Sequence, residues 1–408
     1  SGPYNYQAKF ESTDAEAAIV IEDSNSGTDY NRIGVITNDM SFITNNSAAD
    51  GGGIFNQSSS IFNNIVVANN SASNKAGGLF LGNGDPVITN TTIVGNSSVL
   101  EGGAVRISSD ASDISNSLIV NNSSQSGYEG IYIEYSGELV INNSKIFNNG
   151  TALHNTDNSN TTDAQNNYWG HSFGPYHPIQ NTSGLGDSLN FYTDIDPWLS
   201  SPNTDSPISL PSNVAKQISG SDVILSWDSN SESDVAGYKI HYGNFTGYSY
   251  TTNTDLGNVT TYTLSGISID SSIAITAYDN DSNGTDDQVE GNQSWFTYAE
   301  QLPSISSVAI SSDNTTISVI FNESVYNTGN GSGELEISDF NYSLVGGTAT
   351  LTSNVPTSIS SNGNTYTLGI GLSGIANGTE VLTVVPAENS IYDSDRNVAS
   401  TSQSNNSV

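Results

Sequence analysis

A repeated phrase of apolar and polar residues occupies the chain from about residue 38 to residue 170. Each copy has a short apolar run, then asparagine, usually as a pair, and then Ser or Gly. The copies are Phe42-Ile43-Thr44-Asn45-Asn46-Ser47, Val66-Val67-Ala68-Asn69-Asn70-Ser71, Ile93-Val94-Gly95-Asn96-Ser97, Ile119-Val120-Asn121-Asn122-Ser123 and Ile146-Phe147-Asn148-Asn149-Gly150. The last Asn recurs roughly every 25 residues, and a fixed period of this length is typical of a solenoid.

A second phrase, which begins with glycine, keeps the same period. Its copies are Gly52-Gly53-Ile54-Phe55, Gly77-Gly78-Leu79-Phe80, Gly102-Gly103-Ala104-Val105 and, less clearly, Glu129-Gly130-Ile131-Tyr132. Glycine permits the left-handed or bulged backbone that a coil corner needs. We therefore expect five coils of short strands, with apolar side chains stacked inside and Asn side chains hydrogen-bonded from coil to coil.

The first coil also carries a family resemblance, through Asn45-Asn46-Ser47-Ala48 and Gly51-Gly52-Gly53-Ile54. Residues 45–56 resemble the right-handed parallel β-helix family, which implies a β-helix with a C-terminal cap over residues 38–200. Asn166-Asn167-Tyr168-Trp169-Gly170, Gly174-Pro175 and Pro197-Trp198-Leu199 are similar to the closing segment of bacterial and archaeal β-helix surface proteins. Trp169 and Trp198 are then expected to cover the open end of the last coil. The resemblance makes His171 and His177 cap residues, and a metal pair is the alternative.

Residues 1–37 do not fit the period, although Ala17-Ala18-Ile19-Val20-Ile21 and Ile33-Gly34-Val35-Ile36 both have the pattern of a strand. The end of a solenoid exposes a raw sheet edge, so this segment is expected to be a cap. The alternative is that residues 1–15 form an arm that reaches a neighbouring subunit.

Beyond a Pro- and Ser-rich linker at 201–208, strands alternate with turns about every ten residues. The motifs are Val223-Ile224-Leu225-Ser226-Trp227, Gly237-Tyr238-Lys239-Ile240-His241-Tyr242, Thr261-Tyr262-Thr263-Leu264 and Ile273-Ala274-Ile275-Thr276-Ala277-Tyr278. They resemble a fibronectin type III domain at 209–300, with a buried Trp in its second strand. Such sandwiches are spacers or binding modules, and the fold alone fixes no activity.

Residues 303–408 have further strand patterns, at Val308-Ala309-Ile310, 316–321, Ala349-Thr350-Leu351, 366–370 and 381–386. Phe321-Asn322-Glu323-Ser324-Val325-Tyr326, residues 377–386 and Ile391-Tyr392-Asp393 resemble the Ig-like repeats of prokaryotic surface proteins. The last residues, 404–408, have the register of a final strand, which is expected to be either cut short or completed by another segment. The predicted fold class is all-β, a right-handed parallel β-helix followed by two β-sandwich domains.

Composition supports an all-β protein and excludes several partners. Ser, Thr, Asn, Gly and Asp dominate, which disfavours helix and favours turns and strands. Eight Lys and Arg face 42 Asp and Glu, for a net charge of −34, so nucleic acid and anionic membranes are poor partners. The chain has no Cys, and no apolar run approaches the ~20 residues of a membrane-spanning helix. Ser1 begins no signal peptide, which is expected of either a mature N-terminus or a cytoplasmic protein.

Two kinds of modification or ligand site are candidates. Asp279, Asp281, Asp286 and Asp287 lie in a loop that begins like a calcium-binding loop, although the full spacing with a terminal Glu is not met and most acidic loops are simply solvated. Calcium is therefore the one candidate cofactor. Glycosylation sequons are frequent, as any chain rich in Asn, Ser and Thr makes them by chance. The candidates are Asn56, Asn90, Asn160, Asn181, Asn244, Asn258, Asn314, Asn341 and Asn377.

Catalytic chemistry finds little support in the coils. Polysaccharide lyases need a base beside carboxylates, and hydrolases need paired acids at set distances. The acids of the coils are scattered at turns, and Arg106 with Glu134 or Glu129 is the best pair, which a surface ion pair also explains. We therefore expect no enzyme.

Three functions remain. The first is a secreted or cell-surface structural protein, a filament, sheath or surface-layer subunit that binds copies of itself, by strand addition between the N-terminal arm and the C-terminal sandwich. The second is an adhesin that binds glycans or cells through the flank of the β-helix. The third is a polysaccharide lyase or hydrolase.

Overall fold

The computed structural model describes residues 41–108, 111–134, 137–219, 222–279, 293–394 and 396–408. Apart from one short 3-10 helix, Ile337–Asp339, the regular structure of these residues is entirely β. The predicted all-β fold class is therefore confirmed. Two compact units are present. Unit 1 comprises Ser1–Ser212, Asp228–Thr260 and Ser272–Thr297, and unit 2 comprises Asn213–Trp227, Thr261–Ser271 and Tyr298–Val408.

Five coils of short strands begin unit 1. Coil 1 contains β1 (Ser41–Thr44), β2 (Ser47–Asp50), β3 (Ile54–Asn56) and β4 (Ile61–Asn63). Coil 2 contains β5 (Ile65–Ala68), β6 (Ser71–Lys75), β7 (Leu79–Leu81) and β8 (Val87–Thr89). Coil 3 contains β9 (Thr92–Val94), β10 (Ser97–Ser98), β11 (Val105–Ile107) and β12 (Ser112–Ser115), and coil 4 contains β13 (Leu118–Val120), β14 (Ser123–Ser124), β15 (Ile131–Ile133) and β16 (Leu139–Asn142). Coil 5 contains β17 (Lys145–Phe147), β18 (Thr151–Asn155) and β19 (Thr162–Asp163).

Equivalent strands of successive coils pair in parallel and form four sheets. Sheet A has the order β1-β5-β9-β13-β17, and sheet B has the order β2-β6-β10-β14. Sheet C runs β3-β7-β11-β15-β18, and sheet D runs β4-β8-β12-β16-β19. Apolar side chains at equivalent positions of successive coils stack inside the β-helix. One such column contains Ile43, Val67, Ile93, Ile119 and Ile146. The five predicted coils are thus confirmed.

The asparagine pairs combine two structural roles. The first Asn of a pair adopts a positive φ at the corner after sheet A, as Asn45, Asn69 and Asn121 do, because asparagine tolerates left-handed backbone better than most residues. The second Asn is a buried rung of a ladder. The Asn70 side-chain amide donates to Asn96 Oδ1 (3.0 Å) and to the Ile43 carbonyl (2.8 Å).

The same contacts repeat one coil further along. The Asn96 amide donates to Asn122 Oδ1 and to the Val67 carbonyl, and the Asn122 amide donates to Asn149 Oδ1. Each rung also accepts a bond from the backbone N–H of the rung before it. The predicted hydrogen bonding of Asn side chains between coils is therefore confirmed, and every rung satisfies its own buried amide.

The glycine phrase marks a close approach between coils. A Cβ at Gly103 would lie 2.3 Å from both the Glu129 and the Ser123 carbonyl oxygens. A Cβ at Gly77 would meet the Ser97 and Gly103 oxygens at 2.4 and 2.5 Å. Real Cβ atoms do not approach backbone that closely, so glycine is required here by lack of space rather than by φ.

A cap closes the coil stack after coil 5. It contains β20 (Pro175–Tyr176), β21 (Gly186–Leu189), which pairs with β18, and β22 (Thr193–Asp194), which pairs with β19. Trp169 is fully buried in the coil core, and Trp198 packs against that core. The prediction that both tryptophans cover the last coil is confirmed. Asp187 replaces the next ladder Asn, because its Oδ2 accepts the Asn149 backbone N–H at 2.7 Å.

Eight strands follow the cap. They are β23 (Ala215–Ser219), β24 (Asp222–Ser226), β25 (Val235–Phe245), β26 (Tyr250–Gly257), β27 (Thr261–Ser265), β28 (Ile273–Asp279), β29 (Thr297–Tyr298) and β30 (Glu300–Gln301). They form two antiparallel-rich sheets of four strands, β26-β25-β28-β29 and β27-β24-β23-β30. The four strands predicted between 223 and 278 are confirmed, and Trp227 is buried as expected. The segment predicted as one fibronectin type III-like domain contributes strands to both units.

The outer face of sheet A is covered within unit 1. The outward side chains Val66, Val94 and Val120 belong to one buried cluster with Tyr250 and Phe296. The hydroxyl of Thr44 donates to the Gly247 carbonyl at 2.9 Å. Sheet A is therefore largely buried on both faces, as parallel strands covered on both sides are.

Unit 2 ends with a set of antiparallel strands around its own core. They are β31 (Ile305–Ile310), β32 (Thr316–Phe321), β33 (Phe340–Val345), β34 (Thr350–Leu351), β35 (Ile359–Asn362), β36 (Thr365–Gly369), β37 (Leu372–Ser373) and β38 (Val381–Pro386). One sheet has the order β31-β32-β36-β35, and β33-β38 and β34-β37 form two smaller ones. Residues 406–408 pair antiparallel with β38, since Val408 and Leu382 exchange backbone bonds of 2.8 and 2.9 Å.

Candidate functional site

A column of ring-bearing and cationic side chains follows the outer face of sheet C. Strand residues alternate between the two faces of a sheet. The middle residue of each three-residue sheet C strand faces outward, and so does His154 in the longer β18. The parallel register places these residues one above another: Phe55, Phe80, Arg106, Tyr132 and His154. We call this column the sheet C ladder. It is the most extensive functional candidate among the described residues of the coils.

Stacking connects the ladder from coil to coil. The Phe55 and Phe80 rings stack with centroids 4.6 Å apart and planes 7° from parallel. The Arg106 guanidinium lies 4.9 Å from the Phe80 ring centroid, within cation–π range. The rings of Tyr132 and His154 stack at 5.7 Å.

Arg106 is the charged centre of the ladder. Its side chain is buried, and its Nη2 lies 2.6 Å from Glu134 Oε2. The predicted Arg106–Glu134 pair is confirmed, although the cation is buried rather than on the surface. Glu129 instead accepts the backbone N–H of Thr151 at 3.1 Å. The guanidinium therefore lies over an aromatic ring, and the Glu134 carboxylate is half exposed.

Tyr128 widens the ladder at its C-terminal end. Its ring lies 4.5 Å from the His154 ring and 5.3 Å from the Tyr132 ring. Burial, and then the nearby Glu101 carboxylate, raise the pKa of Tyr132. Burial lowers the pKa of His154, so both shifts favour the uncharged forms of Tyr132 and His154. Three half-buried rings with polar edges form a surface suited to stacking against a flat or ring-shaped ligand.

The register corrects one feature of the sequence alignment. The sequence pattern aligns Gly102-Gly103-Ala104-Val105 with Gly52-Gly53-Ile54-Phe55 and so predicts Val105 in the column of Phe55. The pairing of Val105 with Leu79 and of Arg106 with Phe80 shifts that copy by one residue. The sequence does contain a pattern that predicts the sheet C ladder, because each of its members follows an inward apolar residue. The one-residue shift in the third phrase hides this pattern, since it assigns Val105 instead of Arg106 to the outward position.

The predicted calcium loop lies mostly outside the described residues. Asp279 ends β28 and is buried, whereas Asp281, Asp286 and Asp287 fall on residues that the structure does not describe. Within the described ranges, no group of three or more His, Cys, Asp or Glu side chains is arranged to hold a metal ion. Calcium binding by this loop stays a prediction.

The two cap histidines point their Nδ1 atoms at backbone N–H groups. Nδ1 of the buried His177 accepts from Gln180 at 2.9 Å, and Nδ1 of His171 accepts from Phe173 at 3.1 Å. Burial lowers the pKa of His177. These contacts fit the role of cap residues that the closing motif implies.

The sequon asparagines differ in accessibility. The side chains of Asn244, Asn258 and Asn377 are exposed, and those of Asn90, Asn160, Asn181, Asn314 and Asn341 are partly exposed. Asn56 is buried, and its amide donates to the Ser58 carbonyl. The exposed sequons are therefore the most accessible glycosylation candidates, and glycosylation itself stays a prediction.

Unit 2 contains an apolar groove of about 180 Å³ at one end of its last set of strands. Its lining is mostly aliphatic and also includes Glu380 and Asn314. The lining residues are Ile310, Asn314, Leu344, Ala349, Ile370, Leu372, Ala376, Gly378, Glu380, Leu382 and Val408. The Glu380 carboxylate is already occupied, since it accepts the backbone N–H groups of Thr348, Ala349 and Asn377. We call this feature the unit 2 groove.

These features define a parallel β-helix protein with additional antiparallel sheets. A family model described as "Right handed beta helix region" matches residues 9–168, less than half of the chain. No curated protein matches the chain. The β-helix fold occurs in surface proteins and in polysaccharide-degrading enzymes, so it does not decide between them. In the part of the chain that is described, no helix is long and apolar enough to span a membrane.

Proposed function

We propose that this chain is an extracellular structural surface protein that assembles with copies of itself as the subunit of a filament, sheath or surface layer. The observation that carries the proposal is the unit 2 groove, which leaves aliphatic side chains of a sandwich-like domain in contact with solvent. Ile375, beside the groove lining in sequence, is 88% exposed. Exposed apolar surface next to a strand edge is a common site of subunit contact.

The polar residues of the coils support the same proposal. The repeated Asn side chains bond to neighbouring coils and to backbone carbonyls, and the repeated glycines fill places that admit no side chain. These positions build a regular stack and leave few groups for chemistry. A net charge of −34 also suits a surface exposed to salt or to cations.

Electron microscopy and sedimentation of the full chain test the proposal, over a range of protein concentrations and with and without Ca²⁺. Concentration-dependent filaments or sheets are the expected result. Ile375→Asp places a charge beside the groove and is expected to abolish them, whereas Ile61→Asp, on sheet D and 66% exposed, is the matched control and is expected to leave them intact. Monomers under every condition would rule the proposal out.

A second candidate function is glycan binding through the sheet C ladder. Sugar rings commonly stack on exposed aromatic side chains, and the guanidinium of Arg106 and the carboxylate of Glu134 offer hydrogen-bond partners beside them. Binding to a glycan array tests it, with Tyr132→Ala expected to weaken binding and Tyr176→Ala, an exposed cap residue, expected to leave it unchanged. Release of products from a polysaccharide, lost in Arg106→Ala, would instead indicate an enzyme.

A further inference from the structure

We propose that residues 171–186 of the cap, called here the cap loop, insert an apolar tip into the unit 2 groove of the next copy. The inference rests on the proposed self-assembly and names the surface that occupies the groove. It commits to a second copy of this chain as the occupant. Residues 1–15, which the sequence predicts as an alternative arm, lie outside the described residues and form no part of the inference.

The cap loop exposes an unusual share of apolar side chains. Among the described residues, seven large apolar side chains are more than half exposed. Three of them, Phe173, Ile179 and Leu185, belong to the cap loop, and Val345 and Ile375 adjoin the groove lining in sequence. Single exposed apolar residues are normal, but a concentration of them marks a contact surface. Five of the seven therefore lie at the two surfaces that the inference joins.

Hydrogen bonds fix the shape of the cap loop. His177 and Asn181 exchange backbone bonds of 2.9 and 3.2 Å, so residues 178–180 form a tight turn with Ile179 at its tip. The ring of the buried His177 accepts the Ile179 backbone N–H at 3.2 Å, and the Asn181 side-chain amide donates to the Pro175 carbonyl at 2.9 Å. A loop held in this way loses little conformational entropy when it binds.

The tip of the cap loop and the unit 2 groove match in size and shape. A cavity of about 150 Å³ holds a benzene molecule, so a groove of about 180 Å³ has room for one branched aliphatic or aromatic side chain. Ile179 is 69% exposed at a convex tip, and a tip in a groove packs more closely than two tips or two grooves against each other. A contact between two different surfaces leaves one of each free at the ends, so assembly stays open-ended.

The exposed apolar area of the cap loop is large enough for a stable contact. Phe173, Tyr176, Ile179 and Leu185 are each between 45% and 69% exposed, which together amounts to roughly 400 Å². A standard interface buries about 800 Å² per partner, of which slightly more than half is non-polar. The cap loop therefore supplies most of the apolar area that one partner of such an interface needs.

The charges at both surfaces permit two copies to meet. Copies with a net charge of −34 repel each other, so contact is favoured where carboxylates are absent or already bonded. The cap loop contains no Asp, Glu, Lys or Arg. Within the groove lining, the Glu380 carboxylate accepts backbone N–H groups of its own copy. Asp313, beside the lining residue Asn314, accepts the Thr315 backbone N–H at 3.2 Å.

Mixing two defective variants tests the pairing of unlike surfaces. Ile179→Asp damages the cap loop, and Ile375→Asp damages the groove. Each full-length variant alone is expected to sediment as a monomer where the unchanged chain assembles. An equal mixture is expected to form pairs and nothing larger, because the intact loop of one variant fits the intact groove of the other. Ile61→Asp, of similar exposure at 66%, is the matched control and is expected to assemble. Dimers of either defective variant alone would contradict the proposal.

Disulfide trapping tests the contact directly, because the chain has no native Cys. Ser183→Cys in the cap loop and Ala376→Cys in the groove are made in separate full-length chains, mixed in equal amounts and oxidised under the conditions of assembly. The expected result is a cross-linked pair that contains one of each variant. Ser183→Cys mixed with Asn83→Cys, at an exposed position in the coils, is the control and is expected to stay unlinked. A link that forms only when both cysteines are in one chain would contradict the proposal.

The remaining outcomes separate this inference from the proposed function. Assemblies that persist in Ile179→Asp and give no cross-link would overturn the loop contact and leave self-assembly standing, whereas absence of any assembly would overturn both. Binding of the unchanged chain to phosphatidylcholine vesicles, lost in Ile179→Asp while assembly is kept, would assign the cap loop to a lipid surface instead. The thermal unfolding midpoint of Ile179→Asp is expected to equal that of the unchanged chain. Leu185→Ser, a second exposed change in the loop, is expected to abolish assembly as well.

Discussion

The ammonium group of Lys145 lies 3.0 Å from Oε1 of Glu232, and both side chains are buried. Lys145 begins β17 in the outward column of sheet A, and Glu232 comes from the segment before β25. Glu232 Oε1 also accepts the Ser209 backbone N–H at 2.9 Å. Burial raises the pKa of Glu232, but Lys145 and the bonds from Ser209 outweigh it and lower that pKa to about 2.

Removal of one charge from this pair is expected to destabilise unit 1 strongly. Lys145→Met leaves a buried carboxylate without its partner, at a cost of about 3–5 kcal/mol in the free energy of unfolding. Lys145→Met combined with Glu232→Gln is expected to recover most of the loss, because a neutral amide still accepts from Ser209. Lys75→Met, at the partly exposed Lys75–Glu101 contact of 3.9 Å, is the control and should cost about 1 kcal/mol or less. Denaturant unfolding of all three variants measures the differences.

The same pair predicts a dependence of stability on acid. Because the folded pKa of Glu232, about 2, lies below its ordinary value of 4.5, its stabilising contribution is complete above pH 4.5 and is lost as the pH falls to about 2. The contribution amounts to about 3 kcal/mol. The unchanged chain should therefore exceed Glu232→Gln in free energy of unfolding by less at pH 2 than at pH 6. A difference that stays constant from pH 6 to pH 2 would contradict the assignment.

The asparagine ladder predicts a large effect of a small truncation. Asn96→Ala removes the acceptor of the Asn70 backbone N–H and the donor to the Val67 carbonyl, and leaves both buried groups without that bond. A loss of about 3 kcal/mol in unfolding free energy is expected. Asn83→Ala, on an exposed turn of the same coils, is the control and should change the free energy by less than about 0.5 kcal/mol. Equal effects of the two would refute the ladder.

Two glycines allow the cost of close backbone approach to be measured separately from the cost of left-handed backbone. Gly103→Ala brings a methyl group within 2.3 Å of two carbonyl oxygens of the next coil, and we expect it to cost about 3 kcal/mol because coils must separate to admit it. Gly127→Ala meets no atom within 4 Å but has a φ of +81°, so only the strain of left-handed backbone, about 1 kcal/mol, applies. Thermal unfolding of both variants tests the order.

Asp187 predicts a stabilising substitution at the end of the ladder. Its burial raises its pKa in the folded chain, against the effect of bonds from Asn149 and its neighbours. A raised folded pKa means that stability is greatest below pH 3.8 and falls as the pH rises through the folded value. Asp187→Asn keeps an acceptor for Asn149 and removes the charge, so it should be more stable than the unchanged chain at pH 7 and equal to it at pH 3. Asp85→Asn, at an exposed position, is the control and should change the free energy of unfolding at pH 7 by less than about 0.5 kcal/mol.

The coil repeat was predictable from the sequence because it rests on local rules. Three local features recur at a fixed period in the sequence: apolar alternation, asparagine at left-handed corners and glycine at tight contacts. The hydrogen bond from Asn70 to Asn96 joins residues one period apart. The cap was also predictable, because Trp169 and Trp198 are large rings placed directly after the last coil.

The candidate sites were less predictable because they depend on register and on distant contacts. A single shift in the third glycine phrase separated Arg106 from Phe80 in the alignment, although the two are neighbours on sheet C. The Lys145–Glu232 contact joins residues 87 positions apart, and no local pattern indicates such a pair. The sequence predicts the β-helix and the following sandwich as separate successive domains. That prediction does not indicate that Tyr250 and Phe296 cover the outer face of sheet A.

The ladder has a consequence for how such a chain changes its length. Each ladder Asn donates its side-chain N–H to the Oδ1 of the Asn in the next coil, as Asn70, Asn96 and Asn122 do in turn. Every rung therefore presents the same donor to one neighbour and the same acceptor to the other. A duplicated stretch of one period, such as residues 71–96, would meet complementary groups on both sides. The stack would then grow by one strand spacing, about 4.8 Å, at each duplication. Whole periods of the coils can therefore be duplicated or deleted while the hydrogen bonds between the remaining rungs are kept.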